Sequence, residues 1–313
     1  MDIQLSRNSK CSCGSGKKYK KCCLEKDQQN RPASVPGGAI AGVLYGPIST
    51  ASEDHFLNRF MFGILNIRDF VVPKEKRNEF DKDYDAILQN LTEANFAKDF
   101  SLSCMKGHIK AIHDGKDGVV TGYQLNVTHP IDTELNVFFK DFFIRSTMAI
   151  GGLQRLLNKW FGYNTSFLFS DDEKKFKKGA SSFKLDQKDP RFQNLAMFIK
   201  SHRDDWYIKF KDLRDDIEHN GYKLPQIKHR VGPDGKVQVL FPAPHGQTIE
   251  QILNIGWNNL LNLCEEVLVF IMSLELKDQY IIWKVPEEKR EQFNWVRYKV
   301  SIPDFPEAHV SCS

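Results

Sequence analysis

Cys11, Cys13, Cys22 and Cys23 place four thiols within thirteen residues, as two close pairs separated by eight residues. Zinc takes four soft ligands in a tetrahedron, and two cysteine pairs on a short loop can wrap one ion without a hydrophobic core. Gly14-Ser15-Gly16 supplies permissive backbone where the chain must turn beside the metal. A disulfide between adjacent cysteines, or across one residue, is strained. The spacing therefore predicts one structural Zn2+ held by all four thiolates. Such a centre carries a net charge of about −2, which nearby lysines and backbone amides relieve.

Cations are indeed close by. Arg7, Lys10, Lys17, Lys18, Lys20 and Lys21 all precede Glu25, the first acid after Asp2. The net charge of +4 over 313 residues excludes a polycation, so this block is a local footprint for an acidic partner. The run RNSKCSCGSGKKYKKCC resembles the SEC-C motif, found at the C-terminal end of the preprotein translocase ATPase SecA, over about residues 7 to 24. In that family the knuckle docks onto protein partners or the ribosome. The resemblance implies a zinc site and a docking element, with Lys10, Lys17, Lys18, Lys20 and Lys21 meeting RNA, ribosome or an acidic protein. It implies no enzyme activity. No Gly-Lys-Ser/Thr phosphate loop occurs, so the translocase motor is not expected.

A second constellation lies some two hundred residues on, in KDLRDDIEHNG, residues 211 to 221. Arg214, the polar Asp215 and His219 resemble the signature of HEPN domains, an all-helical family with many metal-independent endoribonucleases. That resemblance implies RNA cleavage leaving 2',3'-cyclic phosphate ends, in a homodimer with two Arg-His pairs in one groove, and fits a toxin or phage-defence effector. His219 would serve as base or acid and Arg214 would hold phosphate. At about 100° per residue Asp215 and His219 share a helix face, whereas Arg214 points about 140° away from His219. Asn220-Gly221 offers a helix stop at which the backbone can turn. A non-catalytic zinc-containing adaptor is the rival expectation.

Other constellations carry less. His202-Arg203-Asp204 imitates a kinase catalytic loop, but Lys209 stands where asparagine is needed. His113-Asp114 imitates a metal-dependent phosphohydrolase centre but runs into the turn-forming Gly115 to Gly118. Asp204, Asp205, Asp212, Asp216 and Glu218 spread around a helix and read as a solvated face. Arg203, at the margin of an apolar stripe, reads as a buried ion-pair partner. His55, His108, His129, His229, His245 and His309 have no partner that spacing identifies.

The elements that must position these groups are mainly helical. Apolar periodicity predicts helices over Phe56 to Phe70, Lys76 to Ala97, Glu134 to Phe161, Arg191 to Asn220 and Thr248 to Leu276. Glu134 to Phe161 is apolar on most sides and is expected to be the central helix. Strands are expected over Val119 to Val127, in a hairpin of Ile227 to Val231 with Lys236 to Phe241, and over Tyr280 to Val285 with Trp295 to Ile302. Tyr163 to Pro190 is polar, lysine-rich and expected to be a loop. The organisation expected is a zinc knuckle over 1–28, a Pro/Gly-rich linker or packed arm over 29–54, a HEPN-like helical bundle over 55–277 and a C-terminal extension over 278–313. No apolar leader and no membrane span is expected, and cytoplasmic residence is inferred from the cysteine usage.

Overall fold

The computed structural model describes Ser15 and residues 55–116, 119–121, 124–126, 131–163, 165, 169–170, 172–178 and 191–307. The chain divides into two units, Met1–Ser52 and Glu53–Ser313. The four knuckle cysteines, their lysines and the Pro/Gly-rich segment lie outside the described residues, so the fold below is that of the second unit.

Helix α1 opens at 56 and passes through a π-helical stretch, Asn58–Ile64, into Leu65–Val71. Pro73 stops it: the residue before a proline is forced out of the helical region, and Val72 is extended at φ −101°, ψ 123°. Helix α2, Arg77–His113, runs sixteen residues past the expected end at Ala97. Ser101 and Gly107 are weak helix formers, but the Ser101 hydroxyl donates to the Ala97 carbonyl at 2.8 Å, and the turns beyond bury His108 and Ile112. Gly115, at φ +66°, ends it, so His113-Asp114 sits at a helix end and not within a metal-binding helix.

Strands β1, Val119–Thr121, and β2, Gln124–Asn126, form a small antiparallel hairpin where one strand was expected. Helix α3, Ile131–Phe161, then packs along α2. The two backbones approach closely at Gly152, where an added Cβ would meet Ile87 Cγ1 at 3.0 Å. Helix α4, Arg191–His202, passes through a π-helical stretch, Arg203–Tyr207, into α5, Ile208–His219, and so fills the single helix expected over 191–220. Each π stretch carries a buried arginine, Arg59 in the first and Arg203 in the second.

The hairpin of β3, Lys228–Val231, and β4, Val237–Leu240, pairs His229 with Val239 and turns at the expected Gly-Pro-Asp-Gly. Helix α6, Ile249–Leu274, starts on a capping box: Gln251 N–H donates to the Thr248 hydroxyl, and Thr248 N–H donates to the Gln251 side chain. This helix is the centre of the unit, a place that the sequence pattern assigned to α3. It packs against α1, α2, α3, α4 and the last hairpin, β5 (Ile281–Lys284) with β6 (Tyr298–Ser301). The reason is visible in side chains: α3 leaves Lys140, Arg145 and Lys159 at its outer side, whereas α6 buries Leu253, Trp257, Leu261, Cys264, Val269 and Met272 on several sides. Phe139, Phe142, Phe143, Phe60 and Trp257 fill the space between helices, each stabilising the fold by about 1.5–3 kcal/mol through burial.

One charged group sits inside this core. Glu265 is 1% exposed, and its Oε2 accepts from Arg59 Nη2 at 2.6 Å, Arg59 Nε at 3.0 Å and Arg297 Nη1 at 2.9 Å. Arg297 Nη2 also donates to Glu266 Oε1 at 2.7 Å, and Asn262 Oδ1 accepts from both arginines. Burial, with the carboxylates of Glu266 and Glu265 beside it, pushes the Tyr298 hydroxyl up to about 12. The network ties the C-terminal hairpin to α1 and α6.

Candidate functional site

Arg214, Asp215 and His219 all lie on the last turns of α5, which ends at His219 because Gly221 takes φ +68° and Tyr222 N–H reaches back to the Asp216 carbonyl at 3.0 Å. The helix brings Arg214 and His219 to a common neighbour that the spacing did not identify, Glu218. Arg214 Nη2 lies 2.6 Å and His219 Nε2 lies 3.7 Å from the same oxygen, Glu218 Oε2. Asp215, on the same helix face as His219, makes no hydrogen bond to the imidazole among the described contacts. Its carboxylate takes Lys211 at 2.8 Å and Arg214 at 2.7 Å instead. Burial raises the Asp215 pKa, but the hydrogen bonds from Lys211 and Arg214 outweigh it and hold the carboxyl below its ordinary value.

Chemically, the guanidinium of Arg214 is occupied by two carboxylates, and the His219 side chain is 66% exposed at a helix end. A phosphate would have to compete with Glu218 and Asp215 for Arg214. His219 is open to solvent or to another molecule.

Arg203 is a buried structural cation. Its Nε donates to the Ser170 carbonyl at 2.7 Å, Glu173 and Asp204 pair with it at 3.0 and 2.6 Å, and the Phe176 ring lies 4.6 Å from the guanidinium. Phe169 and Phe176 are therefore buried in a stretch expected to be loop, where residues 173–178 form a short helical run. The acidic set does not converge. Asp204 pairs with Lys200 and Arg203, and Glu218 with Arg214. Asp205, Asp212 and Asp216 edge a groove of about 640 Å³ floored by Phe143, Phe210 and Leu213. Among the described residues no group of three His, Cys, Asp or Glu side chains is arranged to hold a metal ion.

Two histidine contacts had no signature in spacing. His108 Nε2 lies 2.9 Å from His229 Nε2, joining α2 to β3 across 121 positions, and His55 stacks on Trp295. Cys104 is half-buried, with Glu134 Oε2 at 3.8 Å, and burial together with that carboxylate pushes its thiol up to about 11. Nothing local in the sequence could have paired these residues.

Comparison with known proteins bears on the N-terminal unit. The SEC-C motif family matches residues 7–25. Over 28 residues the chain is 68% identical to the protein translocase subunit SecA of Desulforudis audaxviator (strain MP104C), a stretch that is 9% of this chain and 3% of that protein. No solved structure matches the chain. Among the described residues, no helix is long and apolar enough to cross a membrane. The chain thus carries a SEC-C motif at its front, joined to a mainly helical unit for which the comparisons supply no family.

Proposed function

We propose that this protein is a zinc-containing adaptor, in which Cys11, Cys13, Cys22 and Cys23 hold one structural Zn2+ and the basic knuckle docks to RNA, the ribosome or an acidic protein partner. The observation that carries the reading is the match to the SEC-C motif with all four cysteines in place. The donor set suits the ion: four thiols and no carboxylate between them favour a closed, tetrahedral and structural site. Zinc would cross-link the two cysteine pairs. Lys10, Lys17, Lys18, Lys20 and Lys21 would offset thiolate charge on one side and meet the partner on the other. The helical unit would present the knuckle and assemble with other molecules. Occupation of Arg214 by Glu218 and Asp215 supports a non-catalytic role for it.

The test begins with metal content of the full-length protein. About one zinc per chain is expected, lost in Cys22→Ala. Wild-type protein purified free of zinc, with this segment folded, would overturn the reading. Reversing Lys17, Lys18, Lys20 and Lys21 to Glu should keep zinc and lose the partner.

A second reading rests on the approach of Arg214 and His219 to one oxygen of Glu218 at an exposed helix end. A cytoplasmic HEPN-like homodimer could join two such ends in one groove and cleave RNA without metal, with Arg214, Asp215 and His219 as its catalytic set and a toxin or phage-defence role. It requires RNA cleavage that survives EDTA, leaves cyclic phosphate ends and disappears in His219→Ala. Cleavage unchanged in that variant, or a monomer at micromolar concentration, would sink it.

A further inference from the structure

A polar cleft of about 380 Å³ opens beside the buried Glu265 network, between the start of α1, the amides of α6 and the turn Glu287–Phe293. Its cations are unequally matched. Arg59 pairs with Glu265, and Arg297 pairs with both Glu265 and Glu266. Arg290 has no ion pair among the described residues, and its Nε is buried without an acceptor. Arg290 therefore brings to the cleft a guanidinium whose charge no described carboxylate neutralises, a match for an anionic group.

Beside Arg290 stands a flat aromatic surface. The His55 and Trp295 rings stack 3.9 Å apart at 6°, and Trp295 remains 36% exposed. The backbone is forced to make it. Of the four non-glycine residues with positive φ among the described residues, His55, Asn294 and Trp295 belong here, at +48°, +54° and +62°. Such conformations persist only where the surroundings hold them, and Asn58 Nδ2 donates to the Asn294 carbonyl at 2.8 Å to do so. The π-helical stretch that carries Arg59 flanks the same cleft.

We propose that this cleft binds a nucleoside monophosphate, with the phosphate on the Arg290 guanidinium and the base on the His55–Trp295 stack. Arginine matches phosphate through parallel hydrogen bonds, and an exposed indole supplies the stacking surface. The volume lies at the small end of ligand sites, enough for one nucleotide. Asn258, at the mouth, offers an amide to a base edge or ribose. Glu287 at the rim disfavours a polyphosphate, since its carboxylate would face the added charge.

The full-length protein is titrated with the four nucleoside 5'-monophosphates and with inorganic phosphate, followed by calorimetry and tryptophan fluorescence. At least one monophosphate is expected to bind saturably. Arg290→Gln should weaken it about tenfold or more, the loss of one charge-assisted contact. Trp295→Leu should weaken the nucleotide but not inorganic phosphate, and Glu287→Gln should tighten both. Circular dichroism and thermal melting confirm that each variant is folded. No saturable binding of any probe up to about 5 mM, or equal affinity in wild type and a folded Arg290→Gln, overturns the proposal.

Discussion

Two clusters in the helical unit are built from the same residue types and differ in almost every physical respect. At Glu265, two arginines from α1 and the C-terminal hairpin close on one carboxylate in the core, joining residues 206 and 32 positions apart. At Arg214, the partners are one and four positions away on a single helix turn, and the side chains are a fifth to a third exposed. Desolvation separates them. A buried charge is costly unless it is fully paired, so each member of the first cluster is indispensable once folded. The second is partly solvated, so its pairs are screened and each contributes less. A local motif of charged residues is thus easy to see and weakly stabilising, while the strongly constraining cluster leaves no local trace.

This contrast can be broken in several ways, of which truncation of the buried acid should have the largest effect. Glu265→Ala leaves the buried Arg59 guanidinium without a carboxylate and Arg297 with Glu266 alone, and should destabilise by about 3–5 kcal/mol in urea unfolding. The neighbouring Cys264 thiol, fully buried and pushed up to about 12 by that burial, should react with a thiol reagent faster in the variant than in the wild type, in step with the larger open population. A loss under about 1 kcal/mol would place the two clusters in the same class. Next comes Arg297→Met, which leaves Glu265 paired to Arg59 but strips Glu266 of its cation; about 1–3 kcal/mol is expected by the same measurement.

At the surface cluster, Glu218→Ala should change stability by no more than about 1 kcal/mol, because Arg214 keeps Asp215 and water. A larger loss would show that the partly buried Arg214, whose Nε has no acceptor, depends on Glu218 as the core arginines depend on Glu265. The smallest effect is in acid. The Asp215 carboxyl is held below its ordinary value in the folded protein, so its contribution is present above the unfolded value of about 3.9 and is lost as pH falls through the folded one. Asp215→Asn should therefore flatten the stability-pH curve only below about pH 4, by a few tenths of a kcal/mol after solvent screening. A change at neutral pH that exceeds this would mean that Asp215 does more than pair with its neighbours.

Much of the helical unit was legible. Three- and four-residue apolar spacing located α1, α3, α4 with α5, and α6, and Gly-Pro-Asp-Gly located the β3–β4 turn. The misjudged stretches share a cause. The sixteen extra residues of α2 contain Ser101 and Gly107, whose low propensity is overridden by packing. Phe176 was hidden among lysines, and only the buried Arg203, whose guanidinium lies over its ring, makes sense of it. Helix α6 displaced α3 from the centre because a one-dimensional pattern records how apolar a helix is, not how many neighbours surround it. At the candidate site, spacing placed Arg214, Asp215 and His219 on one helix end and missed Glu218, the side chain that both Arg214 and His219 approach.

By itself the sequence determined the local features: four cysteines with zinc-ligand spacing, a basic block around them, the periodicity of the helices and the residues that stop them. These depend on neighbours within a turn or a loop, and neighbours along the chain are fixed in advance. Tertiary structure alone decided which distant charges share the core, that His55 meets Trp295 to make a flat surface, that His108 meets His229, and that Arg290 stands beside that surface with no ion pair among the described residues. Those are properties of desolvation and of contacts hundreds of residues apart, and no spacing rule reaches that far.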